Sequence, residues 1–269
     1  MEKNSVKKVR VTDIIKKKNK EKIVALTAYD YTMAKILDDT GIDIILIGDS
    51  AANVIMGYKT TLPINVKEML VFTEAVSRGV KRALVVADMP FLSYQISLEE
   101  GVKNAGLFLK KGAEAVKIEG ASLDILKLIE KLVSDGVPVM GHIGLTPQSI
   151  HFYGGYRVVG KDRTEEKKLI EGAKKLEEAG CFSLVLEKIP LKLAKKITKI
   201  LKIPTIGIGA GPYCDGQILV INDLLGMDPS FSPKYVRRYA DLYTIIGNAV
   251  KKFKEDVEKG NFPSEKESF

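Results

Sequence analysis

Four acidic residues and one histidine lie at or directly after the ends of short apolar runs, where they could perform acid–base or metal chemistry. Asp49 follows IILIG, and Asp88, Glu119, His142 and Glu187 end ALVVAD, AVKIE, PVMGH and FSLVLE. A single acid in such a position can simply cap the next helix. Four equivalent acids are harder to explain in that way, because like charges held together need a cation or protons.

The types of these residues favour a hard metal ion. Carboxylate oxygens with one histidine and no cysteine suit Mg²⁺ better than zinc. Lys117 lies two residues before Glu119 and shares its face of the strand, so it needs an anionic partner, either the carboxylates or a substrate. His142 is either a hydrogen-bonded histidine near the core or part of the site. Glu187 stands apart on its strand and is the candidate general base.

Eight apolar runs predict the strands that position these residues. The runs are continuous and do not alternate with polar residues, which is typical of strands covered on both faces. Amphipathic helical patterns separate them, so a parallel sheet with right-handed crossovers is expected. The predicted strands span 23–28, 44–48, 83–88, 115–119, 138–142, 182–187, 204–208 and 217–221.

The helical patterns carry start signals, and an additional helix around 12–20 precedes the first strand, where it could plug a barrel. N-terminal caps are predicted at Asp30, Ser97, Ser122 and Thr164, and Ser232-Pro233 is predicted to open the last helix.

Eight strand–helix units indicate a closed (β/α)₈ barrel, with an open doubly wound sheet as the alternative. Only 13 residues separate the starts of strands seven and eight, so that unit must be abbreviated. Such barrels occupy about 250 residues as one domain, and we expect a single domain over 1–269 with a frayed tail from about 260. Active sites of this fold lie at the C-terminal ends of the strands, where the acids would converge.

Composition indicates a globular protein, and several functional classes are disfavoured. Hydrophobic residues are 45% of the chain, and no apolar run approaches the roughly 20 residues of a membrane span. MEKNSVKKVR is basic but no apolar segment follows, so a cytoplasmic location is expected. The net charge of +8 reflects lysines interleaved with glutamates, which does not favour nucleic-acid binding. Cys181 and Cys214 fit no metal spacing and are expected to be free thiols.

Three glycine-bearing segments could shape the rim of the barrel. Residues 207–211 (GIGAG) lack the spacing of a dinucleotide loop, so a tight turn is expected there. The segments 50–58 and 154–157 are candidate lids, because long loops at this rim often bind or cover ligands.

Long ordered motifs resemble the ketopantoate hydroxymethyltransferase family. They include LTAYDYTMAKILDDTGIDIILIGDSAANVIMGYKTTLPI, VVADMPFLSY, AVKIEG, PVMGHIGLTPQS, GGYRVVGK and IPTIGIGAGPYCDGQILVINDLLGM, and the resemblance extends from about residue 5 to about residue 255. It implies a barrel of the phosphoenolpyruvate/pyruvate type that uses Mg²⁺. It also implies transfer of a hydroxymethyl group from 5,10-methylenetetrahydrofolate to 3-methyl-2-oxobutanoate, giving 2-dehydropantoate through an Mg²⁺-stabilised enolate, in a homo-oligomer that is usually a decamer of two pentameric rings.

The resemblance also implies roles for individual residues. Glu119 would complete the metal site directly or through water, and Glu187 would be the proton acceptor. From its position alone, and not from the resemblance, His142 is a candidate contact of the metal ligands or of the substrate. The matching metal-binding positions are Asp49 and Asp88, and the matching substrate-binding positions are Asp49, Ser50, Asp88 and Lys117.

Two other functions remain as alternatives. A Mg²⁺-dependent 2-oxo-acid lyase on the same barrel would use similar acids, but such lyases typically place a cysteine on a mobile loop, and neither cysteine here follows an early or middle strand. A non-catalytic nucleic-acid binder is supported only by the net charge of +8.

Overall fold

The computed structural model describes residues 7–269, in which eight parallel strands form a closed barrel. The basic N-terminal segment begins in residues 1–6, outside the described residues. The strands follow one another around the barrel in chain order, and β8 pairs with β1. Each predicted strand is confirmed to within two residues at either end. The strands are β1 Ile23–Thr27, β2 Ile44–Ile47, β3 Leu84–Asp88, β4 Ala115–Glu119, β5 Val139–Gly144, β6 Ser183–Glu187, β7 Thr205–Ile208 and β8 Gly216–Leu219.

The continuous apolar runs correspond to strands that are covered on both faces. Every residue of β2, β3, β4 and β5 is buried. The predicted N-terminal helix exists as α1 (Val11–Lys16), and Ile14 of this helix is fully buried in the same core as residues of the strands. Lys17, directly after α1, forms an ion pair of 2.7 Å with Asp43, and Lys18 forms one of 2.7 Å with Asp215. These contacts fix α1 against the N-terminal end of the barrel.

Most of the predicted helix starts are confirmed. The side chains of Asp30, Ser97 and Ser122 each accept a hydrogen bond from the backbone N–H three residues further along the chain. The predicted cap at Thr164 is wrong, because Asp162 is the extended residue whose carboxylate accepts from Glu165 N. The remaining helices of the barrel are α2 Tyr31–Asp39, α3 Ala51–Val54, α4 Val66–Gly79, α5 Leu98–Lys110, α6 Leu123–Ser134, α7 Ile150–Tyr153, α8 Arg163–Glu178 and α9 Leu191–Ile200.

The unit between β7 and β8 is abbreviated, as its length predicts. Residues 209–215 form turns and contain no helix. Gly209 and Gly211 have φ of 63° and 82°, which confirms a tight turn here.

The segment Val220–Phe269 forms a second compact unit, and the unit that contains the barrel ends at Leu219. It contains α10 (Ile221–Leu224) and α11 (Leu242–Glu258). A single domain over the whole chain stays a prediction. The tail predicted to fray from about residue 260 is exposed and contains one 3₁₀ turn, Glu265–Glu267.

The last helix begins later than the Ser232-Pro233 signal predicts. The Arg238 guanidinium donates to the carbonyls of Asp228, Pro229 and Phe231, which holds the preceding segment in an irregular conformation. Asp241 then caps α11 by accepting from Thr244 N. Among residues 7–269, no helix combines the length and the apolar character that crossing a bilayer requires. A cytoplasmic location therefore stays a prediction.

Candidate active site

The register of the parallel strands brings the predicted acids together at the C-terminal end of the barrel. Asp88 of β3 is the partner of Lys117 on β4, and Glu119 is the partner of His142 on β5. These four residues are 2–5% exposed. The Lys117 ammonium forms a close ion pair with Asp88 and lies 4.0 Å from Glu119 Oε1 and 3.4 Å from His142 Nδ1. The buried cluster therefore alternates acids and cations.

Asp49 and Ser50 enter the same cluster from the turn after β2. Asp49 is 4% exposed, and its backbone N–H donates to Asp88 Oδ2 at 3.2 Å. Ser50 Oγ lies 2.8 Å from the Tyr29 hydroxyl. Gly48 leaves room for the Ser50 hydroxyl in this position, because a Cβ there would lie 2.5 Å from Ser50 Oγ. The structure thus places all the predicted metal- and substrate-binding residues at one end of the barrel, while their individual roles stay predictions.

The sequence suggested that Glu187 stands apart from the other acids, but in the structure His142 links it to them. Its Oε2 lies 3.4 Å from His142 Nε2, and His142 Nδ1 lies 3.3 Å from Glu119 Oε1. The imidazole therefore bridges the buried acids and Glu187. The Glu187 side chain is 15% exposed, whereas that of Glu119 is 3% exposed. Glu187 is thus the acid of this pair that a ligand entering from solvent can reach.

The backbone around Glu187 has conformations that few residues adopt. Lys188, the next residue, has φ of 44°, in the left-handed region that non-glycine residues rarely occupy. Its N–H donates to Ile208 O and its carbonyl accepts from Val159 N, both at 2.9 Å. Gly144 has φ of 104°, and a Cβ there would lie 2.2 Å from Glu187 O. Because Gly144 has no Cβ, the backbone of Glu187 can pack directly against β5.

The cluster shifts the pKa of each of its buried acids. Burial, reinforced by Asp88 and Glu119, raises the pKa of Asp49 well above its usual value. Burial also raises the pKa of Asp88, although Lys117 opposes this effect. For Glu119 burial acts in the same direction, but His142 and Lys117 lower its pKa overall. Glu119 is therefore the buried acid most readily ionised, and Asp49 is the one that most needs a cation to remain charged.

The two cations are stabilised by the same acids. Burial opposes protonation of Lys117, but Asp88, Glu119 and Asp49 outweigh it and raise its pKa above the usual value. Burial and Lys117 oppose protonation of His142, but Glu119 and Glu187 raise its pKa to about 9. Both side chains are therefore cationic near neutral pH, and His142 belongs to the site.

The donor set fits a hard divalent cation that takes part of its coordination from substrate and water. Among residues 7–269, no three His, Cys, Asp or Glu side chains are arranged to hold an ion by themselves. Within the same residues, however, the buried oxygens Asp88 Oδ1 and Glu119 Oε1 lack a well-formed hydrogen bond and face the cationic Lys117 and His142, respectively. Mg²⁺ commonly binds through one or two carboxylates and keeps several other oxygen ligands. By the roles that the family resemblance implies, Asp49 and Asp88 would be metal ligands, and Glu119 would complete the site directly or through water.

The segment 154–157 lies beside the site, as expected of a lid, although its closure stays a prediction. Burial raises the pKa of Tyr156, and the charges of Glu187, Asp49 and Glu119 add to this effect. The Lys188 ammonium lies 5.0 Å from the centre of the Tyr156 ring, at cation–π distance. In the other candidate lid, 50–58, Ala51 and Ala52 are buried and begin α3, so this part of the segment is helical.

Two residues of the site, Gln148 and Tyr94, were not identified from the sequence. Both are buried, and Gln148 contacts Asp49 and Glu119. Neither ends a strand: Gln148 lies in the 3₁₀ turn Pro147–Ser149 after β5, and Tyr94 lies in the loop after β3. Uncharged side chains in loops give no signal of their own. The only indication was their presence in the PVMGHIGLTPQS and VVADMPFLSY motifs.

Comparisons with solved structures identify the type of barrel. Phosphonopyruvate hydrolase in complex with oxalate and Mg²⁺ is similar with a TM-score of 0.63 at 12% identity, covering 96% of this chain and 93% of that chain. 2,3-Dimethylmalate lyase, a member of the phosphoenolpyruvate mutase/isocitrate lyase superfamily, has a TM-score of 0.61 at 16% identity, with 96% and 91% coverage. The predicted (β/α)₈ barrel is confirmed, and its fold is similar to that of barrels of the phosphoenolpyruvate/pyruvate type.

Sequence comparisons identify the family. A family model described as ketopantoate hydroxymethyltransferase matches residues 8–265. The 3-methyl-2-oxobutanoate hydroxymethyltransferases of Thermosipho melanesiensis and Chlorobaculum tepidum are 53% and 55% identical over 252 and 258 residues. Each alignment covers 94% of this chain, with 95% and 93% of the respective relatives. The enzyme of that name from Thermotoga maritima is 52% identical, with 97% and 96% coverage. This chain therefore belongs to the ketopantoate hydroxymethyltransferase family.

Proposed function

We propose that this chain transfers a hydroxymethyl group from 5,10-methylenetetrahydrofolate to 3-methyl-2-oxobutanoate, giving 2-dehydropantoate and tetrahydrofolate. Membership of the family makes the chain a hydroxymethyltransferase. The observation that carries the proposal is the arrangement at the rim, where the partly exposed Glu187 lies beside a buried cluster of acids and cations. A base next to a site for an anionic, chelating ligand is what deprotonation beside a 2-oxo group requires.

The residues of the chain divide this chemistry between them. Lys117 and His142 offset the negative charge of the acids and of the substrate carboxylate, and Ser50 is placed to contact the substrate. Asp49 and Asp88 would hold Mg²⁺, with Glu119 completing the site directly or through water. Bound Mg²⁺ supplies Lewis-acid stabilisation of negative charge on the 2-oxo group.

Glu187 then accepts the proton from C3 of the substrate. The methylene carbon of the folate is bonded to two nitrogens, and both bonds break. The electron pair of the broken C–H bond forms the new C–C bond in place of one nitrogen, and a water oxygen takes the place of the other to give the product hydroxyl. The two nitrogens of tetrahydrofolate receive one proton from Glu187 and one from that water. His142, 3.4 Å from Glu187 Oε2, orients the carboxylate before the transfer.

The test is exchange of the C3 proton of 3-methyl-2-oxobutanoate with solvent, followed by proton NMR without folate. We expect exchange in the presence of Mg²⁺ and its loss after chelation, because proton removal precedes attack on the carbon donor. Absence of exchange with every divalent cation tested would contradict deprotonation at this site. Formation of 2-dehydropantoate only when 5,10-methylenetetrahydrofolate is added would establish the folate as the donor.

The positions of the cysteines argue against the lyase alternative. Cys181 is 2% exposed, and burial raises the pKa of its thiol to about 12. Cys214 is fully buried, and burial raises its pKa as well. A cysteine that acts on a substrate has to be accessible and readily ionised. Both thiols are free, and neither meets that requirement.

We also infer that the chain assembles as a homo-oligomer, with the decamer as the expected form. Helix α11 carries an apolar stripe whose members are spaced alternately by three and four residues, a pattern typical of helices that pack against other helices. Each of these side chains is 47–60% exposed. The stripe consists of Tyr243, Ile246, Val250, Phe253 and Val257.

Light scattering tests this inference. The wild-type protein is expected to have the mass of about ten chains, and Val250→Asp, which places a charge in the stripe, is expected to give smaller species. Asn248→Asp introduces the same side chain at an exposed position outside the stripe and should leave the mass unchanged. A monomeric wild-type protein would refute the homo-oligomer.

A further inference from the structure

Gln148 uses both ends of its side-chain amide inside the acidic cluster. Its Nε2 donates to Asp49 Oδ2 at 3.1 Å and to Met89 O at 2.9 Å. Its Oε1 accepts from the Tyr94 hydroxyl at 2.7 Å. Its backbone N–H donates to Glu119 Oε2 at 3.1 Å. One residue therefore contacts two of the three acids expected at the metal site.

The chemistry of the partners fixes the orientation of this amide. Met89 O is a carbonyl and can only accept, so the NH₂ group of Gln148 has to face Met89 and Asp49. The amide oxygen then faces Tyr94, whose hydroxyl accepts from Glu119 N at 3.2 Å and donates to Gln148. The Glu119 backbone, the Tyr94 phenol and the Gln148 amide thus form one directed chain of hydrogen bonds that ends at Asp49.

The contacts of Gln148 occupy one oxygen of each acid. Gln148 takes Asp49 Oδ2 and Glu119 Oε2, whereas Glu119 Oε1 faces His142 Nδ1 at 3.3 Å. An amide stabilises a carboxylate without neutralising it, whereas a lysine in its place would compete with a metal cation. Because Gln148 is 4% exposed and Tyr94 is 3% exposed, water does not compete for these bonds.

We propose that Gln148 is a positioning residue that holds Asp49 and Glu119 ready for a divalent cation, and that Tyr94 fixes the orientation of Gln148. The proposal rests on the function proposed above, since the cation is the one that serves the 2-oxo acid. Removing a residue that orients metal-binding side chains typically lowers metal affinity about 10- to 100-fold.

The experiment measures Mn²⁺ affinity of the intact protein by calorimetry, with Gln148→Met as the main variant. Methionine keeps the length and burial of the side chain but cannot donate to Asp49. We expect the dissociation constant for Mn²⁺ to rise roughly 10- to 100-fold, and saturating Mn²⁺ to restore proton exchange. Gln217→Met is the matched control, because Gln217 is exposed and its side-chain amide donates to the Gly211 carbonyl, not to an acid.

The outcomes separate positioning from a merely structural role. A merely structural residue would lower thermal stability and leave the Mn²⁺ affinity of the folded protein unchanged, so an affinity within twofold of wild type overturns the proposal. If Gln148→Met does not fold, Tyr94→Phe decides, because it removes only the hydroxyl that orients the amide. A several-fold weaker Mn²⁺ affinity is then expected, and an unchanged one overturns the proposal. If the variants bind Mn²⁺ more weakly but the wild-type protein shows no proton exchange, the proposed function is contradicted and the positioning role of Gln148 is not.

Discussion

Glu187→Gln is expected to reduce exchange of the substrate's C3 proton by about 100- to 10,000-fold, the usual contribution of a general base. Glutamine has nearly the same shape and can keep a contact with His142, which lies 3.4 Å from the Glu187 carboxylate. It cannot accept the proton. Binding of Mg²⁺ and of 3-methyl-2-oxobutanoate is therefore expected to stay close to that of the wild-type protein, and the two can be followed by calorimetry.

A matched substitution shows whether this loss is specific. Glu130 is exposed on α6, away from the strand ends, and Glu130→Gln should leave exchange unchanged. Normal exchange in Glu187→Gln would exclude Glu187 as the base. Exchange that is lost together with metal and substrate binding would instead indicate that Glu187 holds the ligands and does not move the proton.

Lys117→Met is expected to lower the free energy of unfolding by about 3–5 kcal/mol near neutral pH, which is typical when one partner of a buried ion pair is removed. Lys117 pairs with Asp88 and lies 4.0 Å from Glu119, and all three are almost completely buried. Methionine fills a similar volume but leaves Asp88 without the ammonium that pairs with it. For a chain of this size the midpoint of thermal unfolding should fall by roughly 6–20 °C.

The pH dependence of this loss has a definite sign. Without Lys117, the pKa values of Asp88 and Asp49, which burial already raises, should rise further. The cost of ionising them in the folded protein is therefore present at high pH and is relieved as they become protonated at lower pH. Scanning calorimetry at about pH 8 and about pH 5.5 should show the larger loss at the higher pH.

A second lysine provides the control for this prediction. Lys127 on α6 is 71% exposed and lies 3.9 Å from the exposed Asp124, so Lys127→Met should change stability by less than about 1 kcal/mol at either pH. An equal loss in the two variants would mean that the buried ion pair does not dominate. A loss in Lys117→Met that does not depend on pH would argue against uncompensated carboxylates as its cause.

The sequence by itself determined the barrel and the acids at its rim. Eight continuous apolar runs with helices between them define the parallel strands of the barrel. The pattern can be read locally because a strand that is buried on both faces needs apolar residues at consecutive positions. Asp88, Glu119 and Glu187 could be placed because they end strands, and parallel strands present their C-terminal ends at the same side. The long family motifs identified the reaction that these acids serve.

Only the tertiary structure decided how the acids are connected. The distance between His142 and Glu187 depends on the pairing of β5 with β6, and no property of either residue alone predicts it. Gln148 joins Asp49 and Glu119 from a turn 99 and 29 residues away along the chain. Apolar periodicity encodes which face of an element is buried. Hydrogen bonds between distant loops depend on where closure of the barrel places them, and one sequence carries no local signal for that.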